Sequence, residues 1–249
     1  MSVYEALASS YDRLTDDVGY EAVLNYLESL FQKLKVKPES VLDLACGTGS
    51  LSVLLAQRGY HVLGADISED MLAVAYEKSM AMEGENRPYF IHQSMQKLRL
   101  PYEVDCVVCC LDSLNYLTNP EDCRKAIRRV YDALAPGGVF LFDVNTPLKL
   151  RSMDGQVFLD EDDDVYCVWR ASWSEEERIC AYGMDIFQRA GKLWHRSAEE
   201  HLEYAYEPEQ LRAYLEEAGF TGITVYGDRS MLPPEEGEQR IYFTACKES

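Results

Sequence analysis

Apolar positions along the first part of this chain follow two periods that take turns. Residues 4–14 and 20–35 carry helical spacing. In the second stretch Val23, Leu24, Leu27, Leu30, Phe31 and Leu34 return at three- and four-residue intervals until Pro38 ends the element. Short apolar runs of strand length follow at 40–45, 61–66, 89–92, 104–110 and 139–143. Helical stretches separate them: one from Leu51 to near Gly59, one led by Ser68 as a capping residue, and one over 120–134. The run Val104–Cys110 is apolar almost without interruption, as a strand covered on both faces requires. This alternation predicts an α/β fold, with a mostly parallel sheet and helices on both faces.

The rhythm changes after Pro147. Residues 156–159, 165–173, 178–190 and 192–204 read as successive strands rich in Tyr, Trp, Val and Phe, the last two joined at Ala190-Gly191. Helical spacing returns at 208–217, stopped by Gly219, and two strands near 221–227 and 239–246 close the chain. The expected organisation is a single domain. Helices occupy 1–37, a Rossmann-like core occupies 38–146 and 206–249, and an antiparallel β subdomain is inserted over 147–205.

Composition narrows the partners. The 24 basic and 43 acidic residues give a formal charge of −19, which repels phosphate backbones and anionic headgroups and argues against a nucleic-acid or membrane partner. The opening Met-Ser-Val-Tyr-Glu has no basic segment leading an apolar one, and no run approaches the length of a membrane span. Eight scattered cysteines, among them Cys106, Cys109 and Cys110 in one apolar run, read as reduced thiols of a cytoplasmic protein. Cys106 and Cys109 fall on opposite faces of a strand, so they do not pair on a metal. The acidic run Asp160–Asp164 has Val165 and Ala171 where a calcium loop needs its glycine and its glutamate. It reads as a hairpin turn, and no metal site is expected. His61 and His92 sit in the strand framework.

The informative stretch is Asp43-Leu-Ala-Cys-Gly47-Thr-Gly49, directly after a strand and before a helix. Glycines there let the backbone turn sharply, and the helix start offers free amide groups. Asp66, at the end of the next strand, is placed to accept both hydroxyls of a ribose. Ser52 stands where a dinucleotide fingerprint needs its third glycine. This pattern resembles the first motif of the class I S-adenosylmethionine-dependent methyltransferases, with Ala45 in place of the motif's first glycine. Other segments are similar to the family in order. These are Ile67 after Asp66, Gln93-Ser94-Met95 after the third strand, Leu111–Tyr116 after the fourth, and Leu134–Val139 before the fifth. Tyr11–Leu14, with Tyr20 beyond, resembles the lid helix of small bacterial members.

The resemblance implies a seven-stranded sheet of order 3-2-1-4-5-7-6 with strand seven antiparallel. It implies S-adenosylmethionine as cofactor, held by Tyr11, Tyr20, Asp43, Ala45, Gly47, Gly49, Asp66, Ile67, Met71, Ser94, Met95 and Leu111. The reaction it implies is in-line methyl transfer to a small-molecule acceptor, which needs chiefly alignment of donor and acceptor. A base is needed only where the acceptor is protonated. Candidates are Asp112, Asn115, Tyr116 and His195, with Asn145 and His201 also near the expected position. Two other functions use a similar turn: a module that binds S-adenosylmethionine without turnover, and a nicotinamide-dependent oxidoreductase. Trp169, Trp173 and Trp194 all lie in the insertion, where they line an acceptor pocket, a homodimer surface or a small core of their own.

Overall fold

The computed structural model describes residues 19–249. Its first elements are helix α1 (Tyr20–Leu34), strand β1 (Ser40–Leu44), helix α2 (Ser50–Gln57), strand β2 (His61–Asp66), helix α3 (Glu69–Ala81), and strands β3 (Tyr89–His92) and β4 (Val104–Cys109). Helix α4 (Pro120–Ala133), strand β5 (Leu134–Asn145) and a short helix α5 (Pro147–Ser152) follow. Strands β6 (Val157–Glu161), β7 (Val165–Ser174), β8 (Ile179–Ala190) and β9 (Leu193–Tyr204) come next, then helix α6 (Pro208–Ala218) and strands β10 (Thr221–Gly227) and β11 (Arg240–Cys246).

Strand β1 shows why the core strands are continuously apolar. Val41 packs on one face with Leu24, Leu27 and Phe31 of α1. Leu42 and Leu44 face the other way, into a cluster with Ile127 and Val130 of α4 and Leu215 of α6. Successive residues of a strand point to opposite faces, so a sheet sandwiched between helix layers needs apolar residues at every position. Cys106 and Cys109 obey the same rule, the first in one cluster and the second in the other.

The seven-stranded sheet runs β10-β11-β5-β4-β1-β2-β3. Strands β10 and β11 are the sixth and seventh of the core, so this is the expected order, and β11 is antiparallel to both β5 and β10. Strand order reverses direction between β1 and β4, which pair in parallel. In open α/β sheets a crevice forms outside the carboxyl ends at such a switch point.

A second, four-stranded antiparallel sheet, β6-β7-β8-β9, lies between β5 and α6 in sequence. Val165, Cys167, Met184 and Ile186 form its own apolar cluster. The acidic run between β6 and β7 is a hairpin turn in which Asp162 Oδ1 accepts the N–H groups of Asp164 and Val165, each at 2.7 Å. Two features differ from the sequence expectation. Strand β5 begins at Leu134, which already pairs with Val104 before an irregularity. Helix α5 was not expected; Thr146 caps it, accepting the N–H of Lys149 at 3.2 Å, with Pro147 in its first turn. The expected helix over 4–14, and Tyr11 with it, falls outside the described residues. No helix among the described residues is long and apolar enough to cross a membrane.

Candidate active site

The turn after β1 is left-handed at three positions: Ala45 (φ 60°), Gly47 (φ 53°) and Gly49 (φ 73°). An alanine pays a steric cost there that glycine does not. Two hydrogen bonds hold the bend, from the N–H groups of Ala45 and Cys46 to the carbonyl of Ala65 at 2.7 and 3.1 Å. Asp66 then fastens the turn to the end of β2. Its Oδ2 accepts the N–H of Gly47 and its Oδ1 that of Ser68, both at 2.8 Å. Burial raises its carboxyl above the ordinary range, opposed by the hydrogen bonds from Ser68 and Gly47.

Asp43 lies deeper. Ser52 donates to its Oδ2 at 2.5 Å. Burial pushes its carboxyl up to about 6, opposed by the Ser52 hydrogen bond, while the nearby Asp66 adds to the rise. The serine that replaces the third glycine of a dinucleotide fingerprint is therefore the partner of the motif's first acid.

A cavity of about 450 Å³ runs from Asp66 and Ile67 at one end to Asp112, Tyr116 and Arg240 at the other. Tyr20, Asp43, Ala45 and Gly47 line it, as do Met71, Ser94, Met95 and Leu111. Ile67 is 62% exposed at this mouth, an apolar side chain that a flat ligand would cover. Gly49 is not on the lining. A Cβ there would come within 2.9 Å of both Ala75 Cβ and Phe90 Cζ, so its missing side chain serves the packing of α2 on α3 and β3.

At the other end, Leu111 (φ 60°) and Asp112 (φ 52°) are again left-handed. Their N–H groups donate to Asp143 Oδ1 and Oδ2 at 2.8 and 3.0 Å. Arg240 donates to Asp112 Oδ1 at 2.5 Å and also to Asp143. Tyr116 meets His201 edge to face, with ring centroids 6.0 Å apart. Neither Asp143 nor Arg240 was singled out from the sequence. A signal was present, because an acid ending the apolar run Val139-Phe-Leu-Phe needs a buried partner.

Two base candidates lie off the lining. Asn115 is a fully buried staple between the core and the inserted sheet. Its Nδ2 donates to the carbonyls of Asn145 and Tyr204 at 3.1 and 3.0 Å, and its Oδ1 accepts the N–H of Asn145 at 3.1 Å. Its hydrogen-bonding capacity is spent on backbone. His195 is exposed, opposite Gln188 near the tip of the β8–β9 hairpin. The histidine that β9 brings to the core is His201, whose Nε2 lies 3.2 Å from Glu199. Asn145 donates to Glu203 at 2.9 Å, which makes Glu203 a buried acid of this junction that sequence reasoning missed.

The family model for a methyltransferase domain matches residues 41–138, which hold the turn, Asp66 and the loop after β4. YqeM of Bacillus subtilis (strain 168), assigned to the methyltransferases, is 32% identical over 248 residues, covering 98% of this chain and 97% of that protein. The chain belongs to the class I S-adenosylmethionine-dependent methyltransferases. The crystal structure of such an enzyme from Clostridium acetobutylicum ATCC 824 superposes with a TM-score of 0.87 at 28% identity, covering 99% of each chain. The sugar N-methyltransferase KedS8 from Streptoalloteichus sp ATCC 53650 shares the fold, with a TM-score of 0.81 at 20% identity over 100% of this chain and 97% of that one. The methyltransferase therefore uses S-adenosylmethionine, and the nicotinamide alternative is set aside. The cavity suits that cofactor: it offers a carboxylate at one end, an uncovered apolar side chain beside it, and no Cβ at Gly47.

Proposed function

We propose that the methyltransferase carries the methyl group to a small-molecule acceptor that enters between the carboxyl edge of the parallel sheet and the inserted sheet. The observation that carries this reading is the contact of Tyr116, on the cavity wall, with His201 of β9. It supports a reading in which the acceptor end of the cavity lies beside the insertion, over 147–205, and the insertion acts as its cover. In this reading Asp66 takes the ribose hydroxyls and Ile67 covers one face of the adenine. Ser94 and Met95 meet the adenine edge, and the loop Leu111–Tyr116 holds the methionine end. Bound there, S-adenosylmethionine supplies an already activated methyl group. The chain's own task is to align and to exclude water. For an acceptor that is protonated at neutral pH, Tyr116 with His201 behind it, the latter oriented by Glu199, is the pair we assign to receive the proton. Free thiols throughout suit a reducing compartment, and we place the enzyme in the cytoplasm.

KedS8 acts on a sugar nitrogen, but a fold-level likeness does not carry an acceptor across. Calorimetric titration with S-adenosylmethionine and S-adenosylhomocysteine is the first test. Binding of both is expected, and Asp66→Asn should weaken it about 10- to 100-fold, the worth of one or two hydrogen bonds to an ionised group. Absence of binding at millimolar cofactor would overturn the reading. Transfer of labelled methyl to nucleic acid but to no small molecule would overturn the acceptor class.

A further inference from the structure

We propose that Asp143 and Arg240 are positioning residues for the cavity wall that receives the methionine end of the cofactor. The inference rests on the cofactor orientation given under Proposed function.

Two consecutive non-glycine residues, Leu111 and Asp112, are held left-handed on that wall. Such conformations are disfavoured and persist only where the surroundings over-determine them. What determines them here is one carboxylate. Asp143 is 0% exposed on β5 and gives each of its oxygens to one of the two N–H groups, at 2.8 and 3.0 Å. A carboxylate so buried needs a counter-charge. Arg240 supplies it from β11, the strand paired antiparallel to β5 in the register Arg240↔Asn145 and Tyr242↔Asp143. The guanidinium reaches Asp112 as well, so it ties the loop's side chain to the same platform as the loop's backbone. Arg240 itself lines the cavity.

The arrangement at the opposite end is analogous. There Asp66 accepts the N–H groups of Gly47 and Ser68 and shapes the turn beside the ribose. The site thus has two poles, each shaped by its own buried carboxylate. A change at Asp143 should be felt at the methionine pole and not at the adenosine pole.

Truncated ligands separate the poles without knowledge of the acceptor. S-adenosylhomocysteine spans both, and 5′-methylthioadenosine lacks the amino-acid end. In Asp143→Asn the shape is kept and Arg240 still pairs with Asp112. The new amide, however, turns an NH₂ toward one of the two N–H donors. Titration calorimetry should show S-adenosylhomocysteine weakened about 10- to 100-fold, the usual worth of a hydrogen bond to an ionised group. Methylthioadenosine should change by less than about threefold on the same scale. Arg240→Lys keeps a charge but not a fork that spans two carboxylates, and should show the same selectivity with a loss of about three- to tenfold. Equal losses on both ligands, or no loss on the longer one, would overturn the assignment. Wild-type protein that binds neither ligand would overturn the orientation and the positioning role together. Hydrogen exchange on the unaltered enzyme stands apart from whether any variant folds. The amides of Leu111 and Asp112 should exchange slowly, and rapid exchange at both would overturn the clamp.

Discussion

Gly49→Ala is expected to destabilise the methyltransferase by about 2–5 kcal/mol, while Gly47→Ala, two residues earlier, costs only about 1 kcal/mol and removes cofactor binding instead. Both glycines are left-handed, so alanine at either carries the backbone strain. They differ in what lies beyond. At Gly49 a Cβ would sit 2.9 Å from Ala75 Cβ and 2.9 Å from Phe90 Cζ. Ala75 and Phe90 are buried with Leu72 in a cluster of their own, so neither α3 nor β3 yields without losing packing. At Gly47 nothing lies within 4 Å of the new atom. Gly47 lines the cavity, and a Cβ there projects into the space read as the cofactor's. Thermal unfolding of the two variants with and without S-adenosylhomocysteine checks the contrast. Gly49→Ala should melt well below wild type but still gain from the ligand. Gly47→Ala should melt close to wild type and gain nothing. Equal melting losses in the two variants would remove the distinction.

That contrast marks how far the sequence reads on its own. Strand–helix alternation and the glycine turn after Asp43 are legible because each depends on neighbours a few residues apart, whereas the sheet order came only with the family resemblance. Val41 and Leu42 must both be apolar if helices cover both faces, and that requirement is written in consecutive letters. The short helix α5 escaped the sequence reading although Thr146-Pro147 is a capping signal. Long-range register is not written that way. Asp143 and Arg240 are 97 residues apart and meet only because β11 runs antiparallel to β5. Nor does sequence tell which end of a long hairpin faces the core. His195 and His201 share one face of β9, and the end near Tyr204 is the one that Asn115 fastens to the core, through the carbonyl of Tyr204. The role of Gly49 depended on Ala75 and Phe90, partners from two other elements.

The same junction gives the methyltransferase its largest expected response to pH. Glu203 is buried where β9 meets the core, and its carboxyl is pushed up to about 8. Burial is the main cause and the nearby Asp112 the next; the hydrogen bond from Asn145 and the charges of Arg240 and Lys149 oppose them. An acid whose folded value lies above its unfolded value favours folding while it is protonated. That contribution is complete below the unfolded value of about 4.3 and is lost as pH rises through the folded value. Stability from this group should therefore fall between about pH 4.5 and 8 and be fully gone by about pH 9, a loss on the order of 3–5 kcal/mol. Gln at this position copies the neutral acid and still accepts from Asn145. Glu203→Gln should match wild type within about 1 kcal/mol at pH 4.5 and exceed it by a few kcal/mol at pH 9. Denaturant unfolding across that range checks the sign, and parallel curves for the two proteins would sink it. The consequence for catalysis follows from position. Asn145, the partner of Glu203, also exchanges backbone hydrogen bonds with Asn115, which holds Tyr204 at the end of β9. Ionising Glu203 puts a second buried negative charge beside Asp112, which loosens the attachment of the inserted sheet that we propose as the cover of the cavity. Acceptor turnover should then decline above pH 8 in wild type and persist in the Gln variant.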